Sequence, residues 1–72
     1  MDEFEQASKE IDARFDRVMG TRDDEEPAAV MLIRAAARMT MTNYPEHRLK
    51  DQVLANLLET AGHLKEMEED HA

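Results

Sequence analysis

The residues of this chain that could do chemistry are carboxylates and histidines, and their most suggestive spacing lies near the C-terminus. Glu59, His63 and Glu66 recur at i, i+4 and i+7, which places them on one face of a helix. Carboxylate oxygens and imidazole nitrogens are both metal ligands. The same face also carries Arg48 and Gln52, which is typical of a solvated polar surface. The sequence therefore predicts no metal site there.

Other patterns match chemical sites only in part. Glu68-x-x-His71 fits one element of a carboxylate di-iron bundle, but the second, facing element is missing. The run Asp23–Glu26 lacks the alternation and central Gly of a calcium loop, and it suits a helix N-terminus. Ser8 has no His nearby in sequence, His47 is expected to lie at the edge of a core, and no Gly-rich phosphate loop occurs. We expect no catalysis, no cofactor and no metal.

Length and composition define the class of protein. A chain of 72 residues forms one domain, and the absence of Cys excludes disulfides. The formal net charge of −8 disfavours binding to nucleic acids and to anionic membranes. No apolar run approaches the roughly 20 residues of a membrane span. The start Met1–Glu5 is acidic, unlike a secretory signal, so the sequence predicts a cytoplasmic protein.

Abundant helix formers, with two Gly and two Pro, predict an all-α fold. We expect helix 1 at about 2–19, helix 2 at about 25–42 and helix 3 at about 45–67. The acidic tail, 68–72, opposes the helix dipole and is expected to fray. Short connections predict a small antiparallel bundle of three helices. Because a chain this small has a thin core, we expect dimerisation to complete it.

Two of the helices carry narrow apolar stripes. The stripe of helix 1 consists of Phe4, Ala7, Ile11, Phe15 and Val18, and Gly20 supplies the left-handed residue that ends the helix. The stripe of helix 3 consists of Val53, Leu54, Leu57, Ala61 and Leu64, flanked by Leu49, Leu58 and Met67. Each stripe predicts one buried side.

Helix 2 is apolar nearly all round, which predicts burial on more than one side. One side is expected to form the core: Ala29, Leu32, Ile33, Ala36 and Met39. The other is the candidate protein interface: Val30, Met31, Arg34, Ala37, Arg38 and Met41. Arg and Met are enriched at such interfaces. In the competing interpretation, Arg34 and Arg38 cover apolar surface with their stems while they either reach solvent or pair with Asp and Glu of helix 1.

These features indicate a non-enzymatic protein–protein interaction module. The favoured form is a small regulator or inhibitor, of the bacterial or phage-encoded kind, that docks on a larger protein, and self-association into a homodimer is also expected. The partner's identity is not encoded in readable form. One alternative is a helical dimer that binds nucleic acid through Arg34, Arg38, Arg48 and Lys50, against the overall charge. Another is a structural subunit of a larger assembly.

Overall fold

Three α-helices make up the fold in the computed structural model, which describes residues 3–20 and 26–70, except the side chains of 69 and 70. α1 runs from Glu3 to Met19, α2 from Ala28 to Asn43 and α3 from Lys50 to Asp70. The helices pack against one another, and the two described ranges contain no strand. The predicted all-α class and the three helices are confirmed.

The predicted start of helix 2, at residue 25, lies outside the described residues, and α2 begins at Ala28. Pro27 precedes it with extended backbone angles, φ −60° and ψ 153°. Pro27 therefore serves as the N-cap rather than as a residue of the first turn, and no side chain caps this end.

The bounds of α3 differ from the prediction at both ends. It begins at Lys50, not near 45, because two successive turns intervene. In the first turn the backbone N–H of His47 donates to the carbonyl of Tyr44, at 3.3 Å. In the second, the backbone N–H of Lys50 donates to the carbonyl of His47, at 3.0 Å. At the other end the helix continues to Asp70. An unfavourable dipole interaction costs only about 0.3–1 kcal/mol, and good helix formers between 65 and 68 offset it.

α2 is the central helix, since α1 and α3 both pack extensively against it and touch each other little. The fully buried apolar side chains are Ile11, Phe15, Met19, Val30, Ala37, Leu54 and Ala61. Across one end of the fold, the Lys65 ammonium donates a hydrogen bond to the carbonyl of Met19. The molecule is thin, with extents of 39 × 25 × 17 Å. A thin arrangement leaves the outer side of the central helix uncovered.

The predicted stripes of α1 and α3 are buried only in their middle parts. Ile11 and Phe15 are core residues, but Phe4 and Val18 are half-exposed at the two ends of α1. In α3, Leu54 and Ala61 are buried, whereas Val53 lies on the exposed flank. Helix spacing thus identified the correct side of each of these two helices.

The predicted core side of helix 2 is wrong. Leu32 is 72% exposed and Met39 is 59% exposed, while Ala29 and Ala36 also face outwards. Of the predicted core set, Ile33 alone packs against the core, and it is only half-buried. The inward side of α2 is instead the one that contains Arg34. The physical reason is the set of acidic partners described below.

The two glycines should respond to alanine in opposite directions. Gly20 has φ +69°, as predicted for the residue that ends helix 1, whereas Gly62 lies inside α3. Apart from the adjacent backbone, no heavy atom of the described residues lies within 4 Å of the position of an added Cβ at either site, so backbone conformation decides the outcome. Gly20→Ala should lower the free energy of unfolding by about 1 kcal/mol, and Gly62→Ala should raise it by about 0.5–1 kcal/mol. Urea titrations would contradict this if both midpoints moved the same way.

Candidate protein interface

Arg34 is the most deeply buried polar residue in the described part of the chain, with 0% of its surface exposed. All five of its N–H groups have acceptors. Nε donates to Glu26 Oε2 at 3.0 Å, and Nη2 donates to Glu26 Oε1 at 2.5 Å and to Asp16 Oδ1 at 2.8 Å. Nη1 donates to the carbonyl and the Oδ1 of Asp12, at 3.3 and 3.2 Å. A fully bonded guanidinium of this kind can be buried without an unsatisfied donor.

The carboxylates around Arg34 come from two elements. Glu26 precedes α2, and its side chain is as completely buried as that of Arg34. Asp12 and Asp16 are one turn apart on α1, and their side chains keep 38% and 45% of their surface in solvent. The guanidinium also lies over the ring of Phe15, 5.2 Å from its centre. Arg34 therefore joins α1, α2 and the segment before α2.

The environment keeps Arg34 charged. Burial by itself lowers the pKa of this guanidinium, but the hydrogen bonds that it donates to Glu26, Asp16 and Asp12 outweigh that effect and raise the pKa above its ordinary value. A raised pKa in the folded state contributes stability that is present below the ordinary arginine value and is lost only above it. Arg34 consequently adds no pH dependence to folding in the acidic or neutral range.

Arg38 extends the same network by one turn. Its Nε and Nη2 donate to Asp12 Oδ1 at 3.2 and 2.6 Å, and 22% of its side chain is exposed. Asp12 is thus shared between Arg34 and Arg38. The pairing of helix 1 acids with these arginines, which the sequence offered as the competing interpretation, is what the structure contains.

The six residues predicted as an interface do not form one surface. Val30, Arg34 and Ala37 are fully buried by the chain itself, so their side chains are not accessible to a partner in this structure. Arg38 and Met41 are half-buried at the contact with α1, and Met31 is 41% exposed. The prediction placed these residues outside because Arg and Met are enriched at protein interfaces. Here three carboxylates satisfy the buried charge.

The residues considered for chemistry remain dispersed. His63 Nε2 lies 3.8 Å from Glu59 Oε1 on the exposed side of α3. Among the described residues, no three potential metal ligands come together in an arrangement that could hold an ion. The hydroxyl of Ser8 is buried and has no hydrogen-bond partner among the described residues, so no described His accepts from it or donates to it. His71 and Asp23–Glu25 lie outside the described residues.

The outer side of α2 carries a heptad-like stripe of uncharged, mostly apolar residues, which we call the α2 stripe. It consists of Ala29, Leu32, Ala36, Met39 and Asn43, all exposed, at alternating spacings of three and four residues. Along α2 the charged residues are Arg34 and Arg38, and both point to the opposite side or its flank. Sequence reasoning found the four apolar positions of this stripe, Ala29, Leu32, Ala36 and Met39, but turned them inwards. Their regular spacing was the available signal for a helix-pairing surface.

α3 extends this uncharged surface. Its exposed flank carries Val53, Thr60 and Met67, with the half-buried Leu57 and Leu64 beside them. Two open hollows mark where this flank meets α2. One is lined by Thr40, Tyr44, His47, Leu49, Lys50 and Val53. The other is lined by Pro27, Ala29, Leu64, Met67 and Glu68. The α2 stripe and this flank form one surface, the α2–α3 face, and the charged residues that the structure describes on it, Lys50 and Glu68, lie at its two ends.

None of the helices described in residues 3–20 and 26–70 combines the length and the apolar character needed to cross a membrane. The chain matches no family model and no curated protein, and no solved structure matches it. The assignment of the α2–α3 face therefore rests on its own geometry and chemistry.

Proposed function

We propose that this chain is a non-enzymatic protein–protein interaction module and that the α2–α3 face is its binding surface. The observation that carries the proposal is the exposure of Leu32 and Met39, at 72% and 59%, on a helix side without charge. Charged residues make up 36% of the chain, so an uncharged face of this length is a marked departure from the rest of the surface. Contiguous exposed apolar patches commonly mark interaction sites.

The finer form of the proposal is a small cytoplasmic regulator or inhibitor that acts on a larger protein, with homodimerisation through the same face. Exposed Met side chains support it, because their flexible thioethers adapt to a partner's shape. Nucleic-acid binding is a weaker alternative. Arg34 is buried and Arg38 is bonded to Asp12, so two of the four basic residues it requires already serve the fold.

Met39→Glu should weaken binding to any protein partner by more than about tenfold, or 1.4 kcal/mol. The reason is that an apolar interface would have to bury an unpaired carboxylate. The parent and the variant, each immobilised, are compared for capture of proteins from the source cell, and their self-association is measured by sedimentation. Because Met39 is largely exposed, the circular dichroism spectrum should not change.

Val18→Glu is the matched control. Val18 is 57% exposed, close to the 59% of Met39, but it lies at the end of α1, away from the α2–α3 face. The Val18→Glu substitution introduces the same charge as Met39→Glu at a position of similar exposure, and it should leave binding to the partner intact. If Met39→Glu retained every interaction of the parent, or if Val18→Glu abolished the same ones, the α2–α3 face would not be the binding surface.

A further inference from the structure

We propose that the α2 stripe binds the α2 stripe of a second copy of this chain, with the two helices antiparallel. This inference rests on the proposed function, because it names the protein that occupies the same face. Because its residues alternate at spacings of three and four, the α2 stripe can form a continuous seam that faces a partner helix along its whole length. From Ala29 to Asn43 the seam is about 21 Å long at 1.5 Å per residue.

Side-chain size alternates along the seam. Small Ala29 and Ala36 alternate with large Leu32 and Met39. With the helices antiparallel about a twofold axis level with residue 34, Ala36 faces Leu32 of the second copy and Ala29 faces its Met39. Each layer then pairs a small residue with a large one. Complementarity of a surface to its own twofold copy is a requirement of an isologous interface.

A parallel arrangement fits less well. It would place Ala against Ala and Leu against Leu in successive layers, which leaves voids at the alanine layers and crowds the others. Protein interiors tolerate neither unfilled space nor overpacking at low cost. The helix dipoles also oppose each other favourably only when the helices are antiparallel.

The charges at the ends of the α2–α3 face support the same orientation. Lys50 borders the hollow beside Thr40, and Glu68 borders the hollow beside Ala29, at the opposite end. The antiparallel twofold stacks α3 over α3 of the second copy with its direction reversed, which brings Lys50 level with the second copy's Glu68. A parallel arrangement would instead bring Lys50 level with Lys50 of the second copy, and Glu68 level with its Glu68, so that like charges would meet. Exposed pairs of this kind add little affinity, but they fix orientation.

The area of the face is adequate for a dimer. Its large apolar side chains, Leu32, Met39, Tyr44, Leu49, Val53 and Met67, are each at least 40% exposed. Together they offer on the order of 600 Å², and the alanines add to this, against roughly 800 Å² per partner in a standard interface. A 72-residue chain without disulfides also gains the support that small domains commonly obtain from association.

An exchange of the small and large residues tests the inference. Ala36→Leu should abolish dimerisation, since it sets leucine against leucine across the twofold. Adding Leu32→Ala in the same chain should restore the dimer, because the layer again pairs small with large. Sedimentation equilibrium reports the mass, which is 8.3 kDa for one chain and twice that for the dimer. All the positions are exposed, so each monomer should retain its helicity.

Cross-linking tests the direction of pairing, and the Cys-free sequence allows single-Cys variants. Ala29→Cys and Met39→Cys are oxidised separately and as a mixture. The antiparallel dimer predicts a disulfide in the mixture only, because each position lies about 15 Å along the axis from its own copy and a disulfide spans a Cα separation of about 4.4–6.8 Å. Ala13→Cys, on the exposed side of α1, should not cross-link and controls for random collisions.

The remaining outcomes overturn the inference in distinguishable ways. Efficient cross-linking of either variant with itself would mean parallel pairing. A monomeric parent, or an exchanged variant that stays monomeric beside a dimeric parent, would exclude this pairing of copies. In those cases the proposed function still stands if Met39→Glu, but not Val18→Glu, loses a different protein partner. It fails separately if neither variant changes any interaction.

Discussion

Replacing Arg34 by methionine should lower the free energy of unfolding by about 3–5 kcal/mol, the usual cost of removing one partner of a buried ion pair. Methionine preserves the unbranched stem and most of the volume, so little of the loss should come from a cavity. The loss comes mainly from Glu26, whose buried carboxylate accepts two hydrogen bonds from Arg34 and would lose both of them. The whole free energy of unfolding of a native protein is only about 5–15 kcal/mol, so a loss of this size is a large part of it.

Arg38→Met is the matched control for this prediction. Arg38 is bonded to Asp12, but both side chains retain solvent, 22% and 38% respectively. Pairs with solvent access contribute about 0–1 kcal/mol, so the urea midpoint should move much less than it does for Arg34→Met. Urea titrations followed by circular dichroism, at one fixed protein concentration, give the midpoints of both variants.

A second substitution separates the charge from the shape of the site. Glu26→Gln, added to Arg34→Met, replaces the buried carboxylate by a neutral amide and should recover part of the lost stability, because an amide costs less to bury than a carboxylate. Equal midpoints for Arg34→Met and Arg38→Met would show that Arg34 is not the central link of the fold. A double variant less stable than Arg34→Met would show that the loss does not come from the buried carboxylate of Glu26.

The sequence predicts which side of α1 and α3 is buried, because each has a single narrow apolar stripe. Ile11 and Phe15 in α1, and Leu54 and Ala61 in α3, are accordingly buried. It does not predict where burial stops along each stripe. α1 and α3 touch each other little, so residues near the ends of α1, such as Val18, extend beyond the core.

α2 could not be oriented from its own residues. It is apolar on both sides, and the general cost of burying a charge places its arginines outside. The decisive interactions come from another helix. Asp12 and Asp16 on α1 have the same four-residue spacing as Arg34 and Arg38 on α2, and two antiparallel helices can therefore bring all four together. That match in spacing was readable, but choosing it required knowing which helix lies against which.

Glu26 was even less accessible to sequence reasoning. It belongs to a run of acidic residues before α2, where negative charge is expected at any helix N-terminus. Its burial depends on Arg34, eight residues later, and no local pattern marks a contact across that distance. The inward side of α2 is thus the opposite of the predicted one, and this has a direct consequence for function. The apolar positions meant for the core become the exposed α2 stripe.

Phe15→Ala is expected to lower the free energy of unfolding by about 3–5 kcal/mol, as removal of a buried aromatic ring from a core usually does. Phe15 is 1% exposed and packs where α1 meets α2, with its ring beneath the Arg34 guanidinium. The substitution therefore removes apolar contacts and the contact between ring and cation at once. Phe15→Leu keeps most of the volume and should cost considerably less, about 1–2 kcal/mol.

Phe4→Ala is the same substitution on the same helix, at a residue that is 50% exposed, and it should cost less than half as much. The comparison also separates the inner side of α2 from its outer side. Phe15 lies away from the α2 stripe, so Phe15→Ala should destabilise the monomer without breaking the proposed dimer. Its shift in urea midpoint should then be the same at low and high protein concentration, whereas Ala36→Leu should matter only where the parent is dimeric. Similar losses for Phe4→Ala and Phe15→Ala would contradict the assignment of Phe15 to the core.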